Sequence, residues 1–446
     1  MAASVRPGSF ALLTLGCKVN QYESHALREK WLADGLRESE SLELADLVVI
    51  NSCAVTAKAV ADVRAAVARA HRASPGARIV VTGCAAQVFG EELAMLPGVN
   101  AVVPQEKKES LLRSVEDAAP DSPLSAISAY PAFALSGYDR ARAVVKVQDG
   151  CSHRCAYCIV PLARGKSRSR PVDESVAEVR RLLAAGFREI TLNGVNLAQY
   201  GRDMPDAHDF WDLVARLDRE LAPEWAGRAR LRMSSLEPGQ LTERALDVLA
   251  GSRLVAPHIH VSLQSGSRDV LRRMGRGHYR VDGLAGFFGR LQEIWPLFGL
   301  GADILTGFPG ESEIDARETE QLCHDVPFSY AHVFPYSKRP GTAAAVMAGQ
   351  VPSATKKERA ARLRTIMAGK KDDFLRRCLD LPRVAVALES VSPGKGVNEF
   401  YADCVFAGPA GPAPGDVQAL VAARPEGIRD GRLVVGALAG GGEERD

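Results

Sequence analysis

Three thiols fall within eight residues at Cys151-Ser-His-Arg-Cys155-Ala-Tyr-Cys158, just after an apolar run with strand character. A loop of that length can bring three thiolates to one iron centre without bending the strand behind it. Structural zinc recruits four protein ligands, commonly as two cysteine pairs, and no fourth cysteine lies near this loop. His153 is the local candidate for a fourth ligand, yet it sits inside the turn that has to wrap the metal. Three thiolates on a 4Fe–4S cube leave one iron without a protein ligand, and such an iron can bind a small molecule. The pattern favours that cluster, with structural zinc as the alternative. Inert core thiols fit poorly in a loop that also carries Ser, His and Arg.

Cys17, Cys53 and Cys84 are far apart in the chain but share one topological place. Each follows an apolar, strand-like run and precedes a helical pattern: Leu15-Gly16-Cys17, Asn51-Ser52-Cys53, Thr82-Gly83-Cys84. In a parallel sheet such turns gather along the carboxyl edge, where open α/β folds bind ligands. Three thiols in register there suggest a second three-thiolate cluster. The competing reading is that each is a small buried hydrophobe, as single cysteines often are. Cys323, Cys378 and Cys404 show no such pattern and receive no role.

The elements that would carry these loops come in three blocks. Residues 8–116 alternate strands (Phe10–Leu15, Asp46–Asn51, Arg78–Thr82, Val99–Val103) with helical stretches, which implies a parallel sheet covered on both faces. Asp117–Ser128, with two prolines and small polar residues, reads as a linker. Residues 137–367 repeat the alternation, with strands expected at Ala143–Gln148, Glu189–Asn193, Arg230–Ser234, His258–Leu263, Gly299–Leu305 and Tyr330–Phe334. Six such units suggest a partial (β/α)6 barrel whose strand ends point at one mouth, a doubly wound sheet being the alternative. A basic helix from about Thr355 to Arg377 leads into residues 370–438, whose short strands punctuated by Gly and Pro read as a small all-β barrel or sandwich. The fold class is therefore α/β with a C-terminal β domain, and GGGEERD reads as a frayed tail.

Composition sets outer limits. At 446 residues, 46% hydrophobic and 25% charged, the chain is an ordinary globular one with room for several cores. No apolar run approaches the roughly 20 residues that span a bilayer, so no membrane is expected, and MAASVRPGSF lacks a secretory stretch. A cytoplasmic, reducing setting follows as an expectation, in which nine cysteines serve as ligands or core rather than disulfides. The net charge of +2 is spread unevenly. Arg164, Lys166, Arg168 and Arg170 form one basic run, and Arg268, Arg272, Arg273, Arg276 and Arg280 form another. Lys356 to Arg383 holds ten basic against four acidic residues. Together these runs favour an RNA partner that needs its phosphates tracked. The stretch from Pro382 onward holds six basic and nine acidic residues, which is a poor phosphate footprint.

The CxxxCxxC loop with an aromatic before its last cysteine resembles the radical S-adenosylmethionine superfamily, and the preceding three-cysteine block narrows this to the methylthiotransferases. TLGCKVNQYES, INSCAVT, VTGCAAQ, VQDGCSHRCAYCIVPLARG, RMSSLEP, HVSLQSGS, LTGFPGE and HVFPYSKRPGT all match that family's pattern, which covers nearly the whole chain. The GCKVNQ and PYSKRPGT forms are similar to the branch that modifies threonylcarbamoyladenosine in tRNA. The isopentenyladenosine and ribosomal-protein branches are the near alternatives, and a non-catalytic iron–sulfur scaffold is the alternative of another class. The resemblance implies two 4Fe–4S clusters, S-adenosylmethionine, a tRNA substrate, a protein reductant and a TRAM-like C-terminal domain. The cluster on Cys151, Cys155 and Cys158 would chelate S-adenosylmethionine and give a 5′-deoxyadenosyl radical that takes hydrogen from C2 of the adenine. The cluster on Cys17, Cys53 and Cys84 would carry the sulfur, methylated by a second S-adenosylmethionine. Tyr157, Gly194, Asn196, Ser234 and Gln264 fall where the superfamily contacts the cofactor, with Ser235 and Gly307 near the same mouth. NGVN departs from the superfamily's glycine–glycine–glutamate form at Gly194 and Asn196.

Overall fold

The computed structural model describes residues 7–108, 111, 135–138, 141–206, 208–391, 394–407 and 419–438. The linker expected at Asp117–Ser128 and the C-terminal tail lie outside these residues.

The first block is a five-stranded parallel sheet with order β2-β1-β3-β4-β5. Its strands are β1 (Ser9–Thr14), β2 (Arg37–Glu38), β3 (Leu47–Ser52), β4 (Arg78–Gly83) and β5 (Val99–Pro104). β3 is buried throughout, as a β-branched run covered on both faces should be. Val48, Ile50, Ile79 and Val81 pack on one face, and Leu47, Val49 and Val80 on the other. Helices α1 (Lys18–Ala33) and α2 (Ala57–Ala73) follow β1 and β3, and α3 (Cys84–Val88) and α4 (Gly90–Ala94) follow β4. The strand order reverses between β1 and β3. Crevices for ligands form at such a switch point, and Cys17 and Cys53 stand on its two sides.

Six parallel strands make the second block: β6 (Ala143–Lys146), β9 (Glu189–Asn193), β10 (Arg230–Met233), β11 (His258–Gln264), β12 (Gly299–Thr306) and β13 (Tyr330–Pro335). They run β6-β9-β10 and β11-β12-β13, joined by bridges Leu231–Val255 and Leu236–Val261. The order follows the chain without reversal, so this is the partial barrel and not a doubly wound sheet. The expected strand Ala143–Gln148 is broken at Val147. Gln148–Asp149 forms a separate β7, paired antiparallel with β8 (Arg168–Ser169). The barrel's helices are α5 (Val160–Arg164), α6 (Val172–Ala184), α7 (Phe210–Trp225), α8 (Glu243–Gly251), α9 (Arg268–Arg273), α10 (Leu284–Ile294) and α11 (Glu313–Asp325). Along each strand alternate residues join the apolar core under these helices, for example Ile190, Leu192, Leu231, Ile259, Val261, Leu300 and Ala302. The intervening positions turn Glu189, Arg230, Arg232, His258 and His260 toward the lumen.

A long helix, α12 (Ser353–Leu379), leads to a closed barrel β14-β15-β16-β18-β17 formed by β14 (Val384–Val391), β15 (Gly394–Val397), β16 (Asp403–Phe406), β17 (Leu420–Arg429) and β18 (Arg432–Ala437). Phe400 and Phe406 belong to its core. The segment between β15 and β16 seals the amino-terminal end of the central barrel. Arg230 donates to the carbonyls of Ala385 (2.7 Å) and Val397 (3.0 Å), and Arg232 to those of Asn398 (3.1 Å) and Glu399 (3.2 Å). Both arginines also clasp the buried Glu189. A Cβ on Gly299 would fall 1.8 Å from the Phe400 carbonyl oxygen, so the two backbones touch. Tyr401, at φ 68°, stacks on His258 at 4.7 Å, with the cations of Arg232, Arg142 and Lys18 5.1–5.9 Å from its ring. The C-terminal domain is thus a stopper for the barrel, and its removal would uncover two buried arginines. Tyr401→Ala is expected to lower the unfolding free energy by about 3 kcal/mol in urea titration, and Tyr401→Phe by about 1 kcal/mol.

Candidate active site

Both cysteine triads stand at carboxyl ends of strands. Cys17 is the residue before α1, Cys53 directly follows β3, and Cys84 opens α3 behind β4. Gly16 shows how tightly these turns meet. Its φ is +100°, and a Cβ there would lie 2.5 Å from the Cys53 Cβ and 2.7 Å from its Sγ. Only glycine fits such a backbone. Cys17 is exposed, whereas Cys53 and Cys84 are buried. Burial pushes the Cys53 and Cys84 thiols up, and the neighbouring thiols add to it.

The second triad follows β6 and β7. The Cys151 N–H donates to the Gly165 carbonyl (3.0 Å), and that of Ala156 to Met274 (2.8 Å), which pins the loop between α5 and α9. Cys158 is pushed up to about 12 by burial, with Cys155 and Cys151 reinforcing it. Metal coordination removes this cost, since a coordinating thiol is deprotonated outright. Among the described residues, the set whose ligand atoms lie within 4.8 Å of one another is His153, Glu237 and His278; neither cysteine triad draws so close. A single zinc with bonds of about 2.3 Å needs sulfurs nearly in contact. Three thiols per site are the donor set of a four-iron cube with one iron left open, so the residues present fit the two clusters.

Asn196 links the second triad to the barrel mouth. Its Nδ2 lies 3.6 Å from Cys151 Sγ, 3.4 Å from His153 Nδ1 and 3.2 Å from Glu237 Oε1. Glu237 in turn meets His278 (3.1 Å) and Arg276 (3.5 Å). Burial works against its carboxylate, but the His278 hydrogen bond and Arg276 hold the carboxyl below its usual range. Gly194 follows β9 with its N–H toward Ser234 Oγ (3.4 Å), and Ser235 is next to it in the turn after β10. Gln264 ends β11 at φ 65°, and Gly307 donates to Glu311 (2.8 Å) after β12. Tyr157 packs edge-on against Phe308 (6.4 Å), and burial raises its hydroxyl. The structure thus brings Asn196, Gly194 and Ser234 to the second triad's side of the mouth, joined by Glu237, His278 and Arg276. Sequence reasoning gave Glu237 no role, although it stands four residues beyond β10 in RMSSLEP. Arg276, in the second basic run, faces Glu237 in this site (3.5 Å) and not the surface.

Two of the basic runs need correction. Arg164 and Arg170 are buried, with side chains 3% and 4% exposed, and bond to Glu23, Asp149 and Glu178 instead of facing phosphates. Arg276 turns into the site, its side chain 11% exposed, whereas Arg272 and Arg280 stay on the surface and pair with Asp269 and Asp282. For Arg164 the deciding carboxylate is Glu23 on α1, brought in from the N-terminal block.

The matches to known proteins agree with this arrangement. Residues 9–104 match the uncharacterized protein family UPF0004, and residues 145–323 the radical SAM superfamily. The fold resembles the radical S-adenosylmethionine methyltransferase TsrM of Kitasatospora setae, with a TM-score of 0.58, 15% identity, and coverage of 76% of this chain and 74% of that one. Such a fold with such a cysteine loop defines a radical S-adenosylmethionine protein. Relatives are more specific. The threonylcarbamoyladenosine tRNA methylthiotransferase MtaB of Bacillus subtilis is 38% identical over 79% of both chains, and that of Thermotoga maritima 33% over 89% of this chain and 90% of its own. A tRNA-2-methylthio-N(6)-dimethylallyladenosine synthase of Syntrophobacter fumaroxidans is 35% identical over 80% of this chain and 79% of its own. The chain belongs to the radical S-adenosylmethionine methylthiotransferases, transferases that use S-adenosylmethionine and 4Fe–4S clusters.

Beneath the mouth, Asp149 accepts from Lys146 (3.0 Å) and Arg164 (2.9 Å). Burial opposes ionisation, but these cations hold its carboxyl down at about 2. Its folded pKa lies below the unfolded value, so the stabilisation is full above about pH 4 and is lost as pH falls toward 2. Urea unfolding of metal-free protein should show this acid limb, about 2–3 kcal/mol in size. Asp149→Asn should reduce the limb, Glu23 and Glu189 keeping the rest of it, and be less stable at pH 7.

Proposed function

We propose that the protein attaches a methylthio group to C2 of threonylcarbamoyladenosine in tRNA. The observation that carries this reading is the pairing of two three-thiol sites, one on each sheet, through direct packing of α5 on α3. Ile159 and Ala163, flanking and within α5, share an apolar cluster with Cys84, Ala85 and Ala86. The two thiol sites therefore stand on packed elements, as transfer of sulfur from one to a base held at the other requires.

Cys151, Cys155 and Cys158 would hold the cluster that engages S-adenosylmethionine, and Cys17, Cys53 and Cys84 the second. The first supplies one-electron chemistry able to remove hydrogen from a carbon that acid–base catalysis leaves untouched. Asn196 and Glu237 offer an amide and a carboxylate to the cofactor's amino-acid end, and the backbone at Gly194 lets it approach closely. Arg276 balances charge beside Cys155 and Tyr157. Tyr157 and Phe308 wall the site against water, and Ser234 and Gln264 line the approach for the base. Phe334, 49% exposed on a lumen-facing position of β13, offers a ring on which an adenine can stack. The dimethylallyladenosine substrate is the second reading, favoured by relatives at a similar identity.

Anaerobic reconstitution should give about eight irons per chain, and about four in Cys155→Ala, with cleavage of S-adenosylmethionine abolished in that variant. Retained cleavage would refute the assignment. Mass spectrometry of tRNA nucleosides from cells with and without the protein separates the substrates. Loss of the methylthio form of threonylcarbamoyladenosine supports the first reading, and loss of the dimethylallyl form the second.

A further inference from the structure

A buried charge network occupies the seam between the two thiol sites. Arg164, the last residue of α5, is its centre. Its Nη1 donates to Glu23 Oε1 (2.9 Å) and Asp149 Oδ1 (2.9 Å), and its Nη2 to Asn20 Oδ1 (2.6 Å). Glu23 also accepts from Lys108 (2.6 Å) and Lys146 (3.0 Å), all within the protein interior. The network reaches the turns that carry the first triad. Asn20 Nδ2 donates to the carbonyls of Leu15 (2.8 Å) and Ser52 (2.9 Å), just ahead of Cys17 and Cys53. Lys108 donates to Asn51 Oδ1 (2.8 Å), two residues before Cys53. Arg164 ends α5, and α5 packs on α3, which Cys84 opens.

We propose that Arg164, assisted by Lys108, sets the reduction potential of the cluster on Cys17, Cys53 and Cys84 higher than its thiolates alone would. This rests on the reading that those three thiols hold a cluster. Reduction adds negative charge, and a fixed cation in a low-dielectric interior stabilises the charged product more than the reactant. Net charge and hydrogen bonding around the sulfurs are what tune iron–sulfur potentials. The guanidinium is locked by two carboxylates and one amide, so it cannot swing away when the electron arrives. The radical domain supplies the cation and the N-terminal domain the thiols, so the second cluster's potential depends on the docking of the two domains. Arg164 is a positioning residue in this scheme, not a catalytic one.

The test is a redox titration followed by electron paramagnetic resonance, on anaerobically reconstituted full-length protein. A Cys151→Ala/Cys155→Ala/Cys158→Ala background leaves Cys17, Cys53 and Cys84 alone to bind iron. In that background Arg164→Gln should lower the reduced-to-oxidised ratio at the parent midpoint about tenfold, which is about 59 mV for one electron. Arg164→Lys keeps the charge and should shift the ratio by less than about threefold, which separates charge from packing. Lys108→Gln should move it in the direction of Arg164→Gln. An unchanged ratio in Arg164→Gln at parent iron content would overturn the inference, as would an equal shift in Arg164→Lys. If Arg164→Gln does not fold, an unchanged ratio in Lys108→Gln refutes the electrostatic account. No iron in the parent background refutes the cluster reading and this inference with it.

Discussion

The burial of Glu23 among Lys108, Lys146 and Arg164 is the interaction on which the rest of the molecule depends. A carboxylate taken out of water needs partners of good geometry or it destabilises the fold by several kcal/mol. Here the partners come from both domains, and none can leave without stranding a charge. That requirement fixes how α1 lies against β6 and β7, and hence how the two thiol sites face each other. Apolar packing of α5 on α3 is compatible with some sliding. An ion network of this kind fixes one register.

The same logic recurs at the other end of the central barrel. Glu189, Arg230 and Arg232 fill a lumen that apolar side chains could have filled, and the arginines satisfy their remaining donors on carbonyls of the C-terminal domain. Polar lumen residues leave the barrel unable to close on itself by hydrophobic contact alone. Carbonyls from the C-terminal domain complete it. The mouth, by contrast, keeps Asn196, Ser234 and Gln264 near strand ends for a ligand.

The cysteine placements were legible in the sequence because a βα turn is a local feature. Apolar run, glycine and cysteine can be read in order, and the parallel sheet then aligns the three turns. The six barrel strands were legible for the same reason, apart from the break at Val147, where pairing with β8 draws Gln148 and Asp149 aside. Arg164 and Arg170 were misread as surface. Burial of Arg164 depends on Glu23, 141 residues away, and that of Arg170 on Glu178, eight residues on and inside α6. Nothing near an arginine in the chain states whether a carboxylate will meet it. Glu237 and His278 escaped notice on similar grounds, being brought to Asn196 only by the closing of the barrel.

The stopper at the barrel's base has a consequence for how the protein is made. Arg230 and Arg232 find their carbonyl partners 155 to 167 residues later in the chain. During synthesis both are therefore translated long before the segment that satisfies them. The central barrel cannot reach its final form while the ribosome still holds residues 385–399. Contacts of such separation form late and slowly. The loops that carry the two cysteine triads are made first and wait through that interval on an unfinished scaffold, until the last-made domain closes the barrel beneath them.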